Sequence, residues 1–323
     1  MPGKKRRKPV LIVQHAQHEH PAAMRRALES QGIATLWLHP YRGESYPNVE
    51  EISGVISLGG PMGANDESEH PWISREIELL KKSVALQLPV VGICLGGQML
   101  ARALGSKVEK HKTAEVGWFP IELTPAGILD PIVGAAGERP TVYHWHEDTF
   151  HLPTDAVLLA QSQVCERQAF RLGNKIYGFQ FHPEADHQLV LEWLSVSGIE
   201  DDIHAVRTEF GAETVQDSTT QRSHALKGEK GSLKITAAIG SLFRNEKASS
   251  PVRLDYSQLE TWVTHRTILI AEFEGALQKK VHLKGQIATL LSISTGEFII
   301  FQELNSLLWP IRLDDVLKIV VAD

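Results

Sequence analysis

Pro89-Val90-Val91-Gly92-Ile93-Cys94-Leu95-Gly96-Gly97-Gln98 is the stretch on which the reading of this chain turns. An apolar, β-branched run, Pro89–Ile93, stops at a cysteine, and helical spacing over Leu95–Leu104 follows at once. A side chain at such a junction sits on a sharp, strained turn with its reactive atom pointing out of the sheet. Gly92 and Gly96 suit the turn because a side chain at either position would clash. The helix N-terminus beneath the sulfur favours negative charge, on a thiolate and on an oxyanion alike. A lone cysteine is more often a buried core residue. Cys165, in Val164-Cys165-Glu166, has no comparable setting and is read in that way.

A thiolate nucleophile needs a base, and the base needs a group to orient it. Ile176-Tyr177-Gly178-Phe179-Gln180-Phe181-His182-Pro183-Glu184 supplies both. Read as a strand Lys175–Phe181 running into His-Pro-Glu, it puts residues i and i+2 on one side, so His182 and Glu184 meet, and Pro183 stiffens the backbone between them.

Outward from these motifs, strands alternate with helices. Pro9–Ala16, Ile33–His39 and Gly54–Leu58 read as strands, Ala22–Ser30 and Trp72–Leu88 as helices. This alternation predicts an α/β fold whose mostly parallel sheet is flanked by helices. From Val116 the pattern changes to strands with short connections, at Val116–Leu123, Thr141–Trp145, Ala156–Gln161 and Gln168–Leu172, which predicts a partly antiparallel addition. Helices are expected at Asp186–Ser195, Asp201–Phe210 and Leu233–Asn245.

The chain has 323 residues, enough for two domains, and a net charge of −6 that gives no reason to expect a general nucleic-acid binder. The basic run Lys4-Lys5-Arg6-Arg7-Lys8 reads as a solvated, disordered tail, residues 1–8. Val10–Val13 is too short for the core of an export signal. No stretch is long and apolar enough to span a membrane. Two distant cysteines make no disulfide framework, so a cytoplasmic location is expected.

Gly-x-Cys-x-Gly-x-Gln followed by Phe-His-Pro-Glu resembles the class I (triad) glutamine amidotransferases, and among them the stand-alone domains similar to the amidotransferase half of GMP synthase. Leu58-Gly59-Gly60-Pro61-Met62-Gly63, Glu115-Val116-Gly117-Trp118 and His144-Trp145-His146-Glu147-Asp148-Thr149-Phe150 extend the resemblance over roughly Pro9 to Asn245. It implies a flavodoxin-like fold and hydrolysis of the glutamine γ-amide, with Cys94 as nucleophile, His182 as base and Glu184 as orienter. The backbone N–H groups of Gly60 and Leu95 would form the oxyanion hole. Gln98, Trp118, His146 and Asp148 would receive the substrate, Asp148 pairing with its α-ammonium group. No metal or organic cofactor is required. The sequence departs from the family at Glu147, often Gly, and at Gly97, often His or Ala.

No ATP-pyrophosphatase loop of the kind found in full GMP synthases follows Phe181. The resemblance therefore implies either a separate ammonia-accepting synthetase subunit or independent action as a γ-glutamyl peptidase on glutathione-like compounds. A catalytically silent regulatory protein is the third alternative. His15, His18 and His20, and His144, His146 and His151, cluster in sequence, but no Cys or carboxylate set with structural-zinc spacing accompanies them, so no metal is expected. The polar run Glu246–Pro251 marks a linker, residues 246–254. Residues 255–323 read as a small Sm/SH3-like β-barrel with strands at Thr267–Glu274, Val281–Ile293, Gly296–Gln302, Ser306–Arg312 and Val316–Val320. This region is weakly similar to the Rho-binding antiterminators, which implies a docking module for a protein or RNA partner.

Overall fold

The computed structural model describes residues 8–244 and, as backbone only, four strands between residues 252 and 302. The first half winds as expected: β1 (Val10–Val13), α1 (Ala22–Ser30), β2 (Thr35–Leu38), β3 (Gly54–Ser57), α2 (Trp72–Ala85), β4 (Val90–Ile93) and α3 (Leu95–Ala103). Then come β5 (Val108–Pro120), β6 (Glu122–Leu123), α4 (Pro125–Ile128), β7 (Thr141–Phe150), β8 (Val157–Gln161), β9 (Ala169–Leu172), β10 (Ile176–Phe179), α5 (His187–Trp193), α6 (Ile199–Phe210) and α7 (Ser218–Leu242).

One sheet of order β2-β1-β3-β4-β10-β9-β8-β6 carries the fold. Its first five strands are parallel, and β9, β8 and β6 extend it by antiparallel pairing. β1, β3, β4 and β10 are buried at every residue, as parallel strands covered on both faces should be. Alternate residues serve opposite faces. Val10 and Ile12 join a core with Met24, Leu28 and Ile235, whereas Leu11 and Val13 join one with Leu79, Leu80 and Met99. β5 and β7 form a separate two-stranded antiparallel ribbon.

The structure corrects several expectations in this unit. The single strand expected over Val116–Leu123 is split between the end of β5 and the short β6, and β5 begins at Val108. β10 ends at Phe179, so His182 and Glu184 lie in a turn beyond the strand, where His182 forms one bridge with Tyr143. Their meeting comes from that turn and not from extended-chain alternation. Helix α7 starts at Ser218, well before the expected Leu233, and its glycines explain the miss. A Cβ on Gly228 would lie 2.5 Å from the Trp118 ring, and one on Gly231 would lie 2.3 Å from the Thr141 carbonyl oxygen. Close packing against β5 and β7 overrides the poor helix propensity of glycine here.

β11 (Val252–Arg253), β12 (Lys280–Leu283), β13 (Gln286–Ser294) and β14 (Glu297–Gln302) form a four-stranded sheet in a second compact unit. The run expected as one strand over Val281–Ile293 is thus an antiparallel pair, and a two-residue strand lies inside the expected linker. The basic tail but for its last residue, the rest of the linker and the closure of residues 255–323 into a barrel lie outside the described residues. Among the described residues, no helix is long and apolar enough to cross a membrane.

Gly231→Ala adds a methyl group against the Thr141 carbonyl oxygen and the Pro140 ring. It is expected to destabilise the protein by about 1–3 kcal/mol in urea unfolding, although helix propensity favours Ala by about 1 kcal/mol. An unchanged or raised midpoint would show that α7 is loosely packed.

Candidate active site

Cys94 links β4 to α3 with φ 50° and ψ −108°, a left-handed backbone that a side-chain-bearing residue rarely adopts. The space around the elbow explains its glycines. A Cβ on Gly92 would lie 2.4 Å from the Gly96 carbonyl oxygen, and one on Gly96 would lie 2.2 Å from that of Ser57. The Cys94 N–H donates to the Phe179 carbonyl at 2.8 Å, which ties the elbow to the end of β10. Next to it the Cys94 thiol lies 3.5 Å from the Trp145 carbonyl oxygen, and the Gln180 amide approaches the sulfur at 3.9 Å.

His182 and Cys94 border the same cleft, which has a volume of about 640 Å³. The His182 Nδ1 lies 2.8 Å from the Glu184 carboxylate, and both side chains are buried. Burial opposes a charge on His182, but the negative charge of Glu184, with that of Cys94 as a thiolate, more than offsets it, so its pKa stands well above the ordinary histidine value. The turn is held from behind by α7, where Ser232 and Thr236 donate to the carbonyls of His182 and Pro183. Trp193 and Tyr143 close on the imidazole with centroid separations of 5.1 and 6.3 Å.

Gly60, Leu95, Gln98, His146 and Asp148 all line the cleft. Gln98 reaches toward the Asp148 carbonyl and the Gln180 side chain, at 3.5 and 3.4 Å. Asp148 Oδ1 has no hydrogen-bond partner, with the Lys110 ammonium 3.6 Å away. Trp118 is a correction. Its ring is buried against Tyr143 and Gly228, and Gln216 takes its backbone N–H and carbonyl, so it faces the core and not the cleft. Its strand neighbour Val116 borders the cleft instead. Glu147, the departure from the family pattern, stands on the rim and pairs with Lys110 at 3.2 Å. Cys165 is buried away from the cleft, and burial raises its thiol pKa.

Four of the clustered histidines separate into unrelated settings. His15 is fully buried, His18 lies on the cleft wall, His20 pairs with Glu192, and His151 pairs with Glu109. Glu115, His144 and His146 do converge, with one ligand atom from each within 4.8 Å of the others. The carboxylate absent from the local sequence arrives across the β5–β7 pairing, where Glu115 stands opposite His146. Two imidazoles and a carboxylate are donors that suit zinc. Hydrogen bonds already engage most of the group. Glu115 accepts from His146 at 3.1 Å and Gln168 at 2.6 Å, and despite burial its pKa is held at about 2 by His144 and His146. Burial drops His144 to about 4, and its ring nitrogens have no hydrogen-bond partner.

The comparisons with known proteins agree with this geometry. Residues 22–192, just over half the chain, match the family described as glutamine amidotransferase class-I. The chain belongs to the class-I glutamine amidotransferase family. It is 36% identical to a glutamine amidotransferase-like protein of Salmonella typhimurium, YfeJ, over 54% of this chain and 75% of that protein. It is 29% identical to one subunit of the glutamine-hydrolysing GMP synthase of Methanothermobacter thermautotrophicus, over 55% of this chain and 89% of the relative. Among solved structures, a glutamine amidotransferase from Methylobacillus flagellatus superposes with a TM-score of 0.65 at 29% identity, covering 74% of this chain and 94% of that one. One from Thermotoga maritima gives 0.63 at 28% identity, covering 74% and 100%. This amidotransferase is therefore a glutamine-hydrolysing enzyme that releases ammonia.

Sequence reasoning missed Glu19, because a loop carboxylate carries no local signature. It lines the cleft, and a Cβ on Gly59 would touch both its Oε2 at 3.2 Å and the His182 Cε1 at 2.8 Å. Burial, the largest cause, pushes its carboxyl pKa up to about 7, helped by Glu184 and opposed by His182. The folded chain thus keeps a proton that the unfolded chain releases near pH 4.5, and stability falls as pH rises between these values. Glu19→Gln should stabilise the protein by up to about 3 kcal/mol above about pH 7.5 and leave it unchanged below about pH 4. Thermal unfolding across that range checks this, and a pH-independent difference would contradict it.

Proposed function

We propose that Cys94, His182 and Glu184 carry out the hydrolysis as a nucleophile, a proton shuttle and an orienting carboxylate. The Cys94 thiolate attacks the γ-carbonyl carbon of glutamine, and the carbonyl electrons move onto oxygen. The N–H groups of Gly60 and Leu95 stabilise that oxyanion. Collapse breaks the C–N bond as the His182 imidazolium gives its proton to the departing ammonia, leaving a γ-glutamyl thioester. Water then attacks the thioester, His182 takes its proton, and glutamate leaves as the thiolate re-forms. Glu184 holds the imidazole tautomer and stabilises the charged form. Cys94 and His182 lining one cleft, with the Glu184 carboxylate 2.8 Å from the His182 Nδ1, is the observation that supports this reading most strongly.

At the amino-acid end, Asp148 receives the α-ammonium group through its Oδ1, which accepts no hydrogen bond and has only the Lys110 ammonium near it at 3.6 Å, and Gln98 and His146 line the same cleft. The likeness to one subunit of a GMP synthase supports transfer of the ammonia to a separate synthetase subunit. We assign residues 9–245 to the amidotransferase domain, which acts in the cytoplasm, and residues 255–323 to docking of a protein or RNA partner.

The size of the cleft favours a second substrate class. About 640 Å³ lies in the range that admits drug-sized ligands. Ile199, Ile203 and Val206 on α6 add an apolar wall. A γ-glutamyl peptide fits the same chemistry, with an amine in place of ammonia as leaving group.

Release of glutamate from glutamine and from γ-glutamyl peptides, measured on the purified chain, tests both readings. Cys94→Ala should lower kcat by about 10³-fold or more, and Glu184→Gln by about 10²- to 10⁴-fold. Equal turnover by wild type and Cys94→Ala would remove the thioester mechanism.

A further inference from the structure

His15 and Glu76 are both fully buried, yet neither lines the cleft. Glu76, on α2, is surrounded by donors. Its Oε1 accepts from Ser57 Oγ at 2.6 Å, its Oε2 from the Tyr46 hydroxyl at 2.8 Å, and both oxygens face the His15 Nε2 at 3.1 and 3.0 Å. On the other side of the ring, His15 Nδ1 lies 3.0 Å from the carbonyl oxygen of Gly59. Trp72 stacks on the imidazole at 5.1 Å between centroids and 9° between planes, which fixes its orientation.

The protonation state follows from these partners. A carbonyl oxygen can only accept, so Nδ1 carries a proton. A carboxylate already accepting from two hydroxyls takes the Nε2 proton as well. Burial opposes the charge on His15, but Glu76 and Gly59 more than offset it and raise its pKa, while the pKa of Glu76 is lowered. The pair is thus imidazolium and carboxylate, with His15 donating at both ends.

The consequence for the cleft lies in the peptide plane. No cis peptide is present among the described residues, and in a trans peptide the C=O of one residue and the N–H of the next point in opposite directions. With its C=O held toward His15, the Gly59–Gly60 peptide turns the Gly60 N–H the other way. Gly60 borders the cleft beside Leu95 and Cys94, and neither the Gly60 nor the Leu95 N–H is engaged by a hydrogen bond among the described residues.

We propose that the buried Glu76–His15 pair is a positioning device that locks the Gly59–Gly60 peptide with its N–H aimed at the oxygen that becomes the oxyanion. It rests on the roles assigned above to Gly60 and Cys94. His15 and Glu76 never touch substrate; they act through one peptide group. Without the pair, that peptide can rotate and offer its carbonyl, which repels the oxyanion.

The test uses the full chain and compares His15→Leu, His15→Gln and Glu76→Gln with wild type. Three readouts are taken: kcat and KM for glutamine, the rate of Cys94 alkylation by iodoacetamide, and the unfolding temperature. Alkylation needs the nucleophile but no oxyanion hole. The expected result is a fall in kcat of about 10- to 100-fold for His15→Leu, with KM and alkylation within about threefold of wild type. His15→Gln, which keeps a donor, should recover part of the loss, and Glu76→Gln, which keeps the Nδ1–H, should recover most of it. A folded His15→Leu enzyme with wild-type kcat, or one whose alkylation falls in step with kcat, would overturn the proposal. Should His15→Leu fail to fold, the other two variants decide by the same split, and wild-type kcat in both overturns it. A wild type that is inert, or whose Cys94 resists alkylation, counts against the thioester mechanism and the network together. An active wild type with indifferent variants counts against the network alone.

Discussion

The parallel pairing of β4 with β10 is the constraint on which the rest of the site depends. Its register sets Gly92 beside Gly178 and Ile93 beside Phe179, so both strands end at the same level of the sheet. The hydrogen bond from the Cys94 N–H to the Phe179 carbonyl closes that end. From this point the chain after β4 can only turn into α3, which produces the elbow, and the chain after β10 can only turn beneath α7, which delivers His182 and Glu184. A one-residue slip would invert every side chain on one of the strands and separate sulfur from imidazole.

Strain and support are distributed around this junction. Cys94 holds a positive φ, and residues in that region persist only where their surroundings over-determine them. Gly92 and Gly96 let the backbone close, the long α7 braces the His182 turn from behind, and the glycines of α7 let that helix come near enough. On the other side, a buried ion pair outside the cleft grips the Gly59 carbonyl. Buried charges are costly unless fully partnered. Glu76, with four hydrogen-bond contacts from three side chains, meets that condition. Glu147, Lys110 and residues of α6 also line the cleft.

The elements of the parallel half were legible because each is a short apolar or amphipathic run punctuated by Gly or Pro, and the expected helix Ala22–Ser30 matches α1 to the residue. The order of the strands places the nucleophile strand β4 in the middle of the sheet. Legibility failed where a distant partner replaces local preference. α7 is helical through Gly228 and Gly231 because Trp118 and Thr141 lie against it, and Trp118 itself is drawn into the core by the same contact. Glu115 meets His144 and His146 only because β5 pairs with β7.

By itself, the sequence determined that a cysteine ends a buried strand and starts a helix, that a histidine and a carboxylate two residues apart follow another strand, and that these belong to an amidotransferase. The first two are local facts of hydrophobic pattern, turn chemistry and residue spacing, and the third is what the resemblance of the motifs to a known family implied. Only the tertiary structure decided that sulfur and imidazole border one cleft, that Glu19 stands beside them with its proton retained up to about pH 7, and that His15 turns the Gly59–Gly60 peptide. These depend on burial and on contacts between residues far apart in the chain, and on the direction in which a single peptide bond faces, none of which is encoded in any short window of residues.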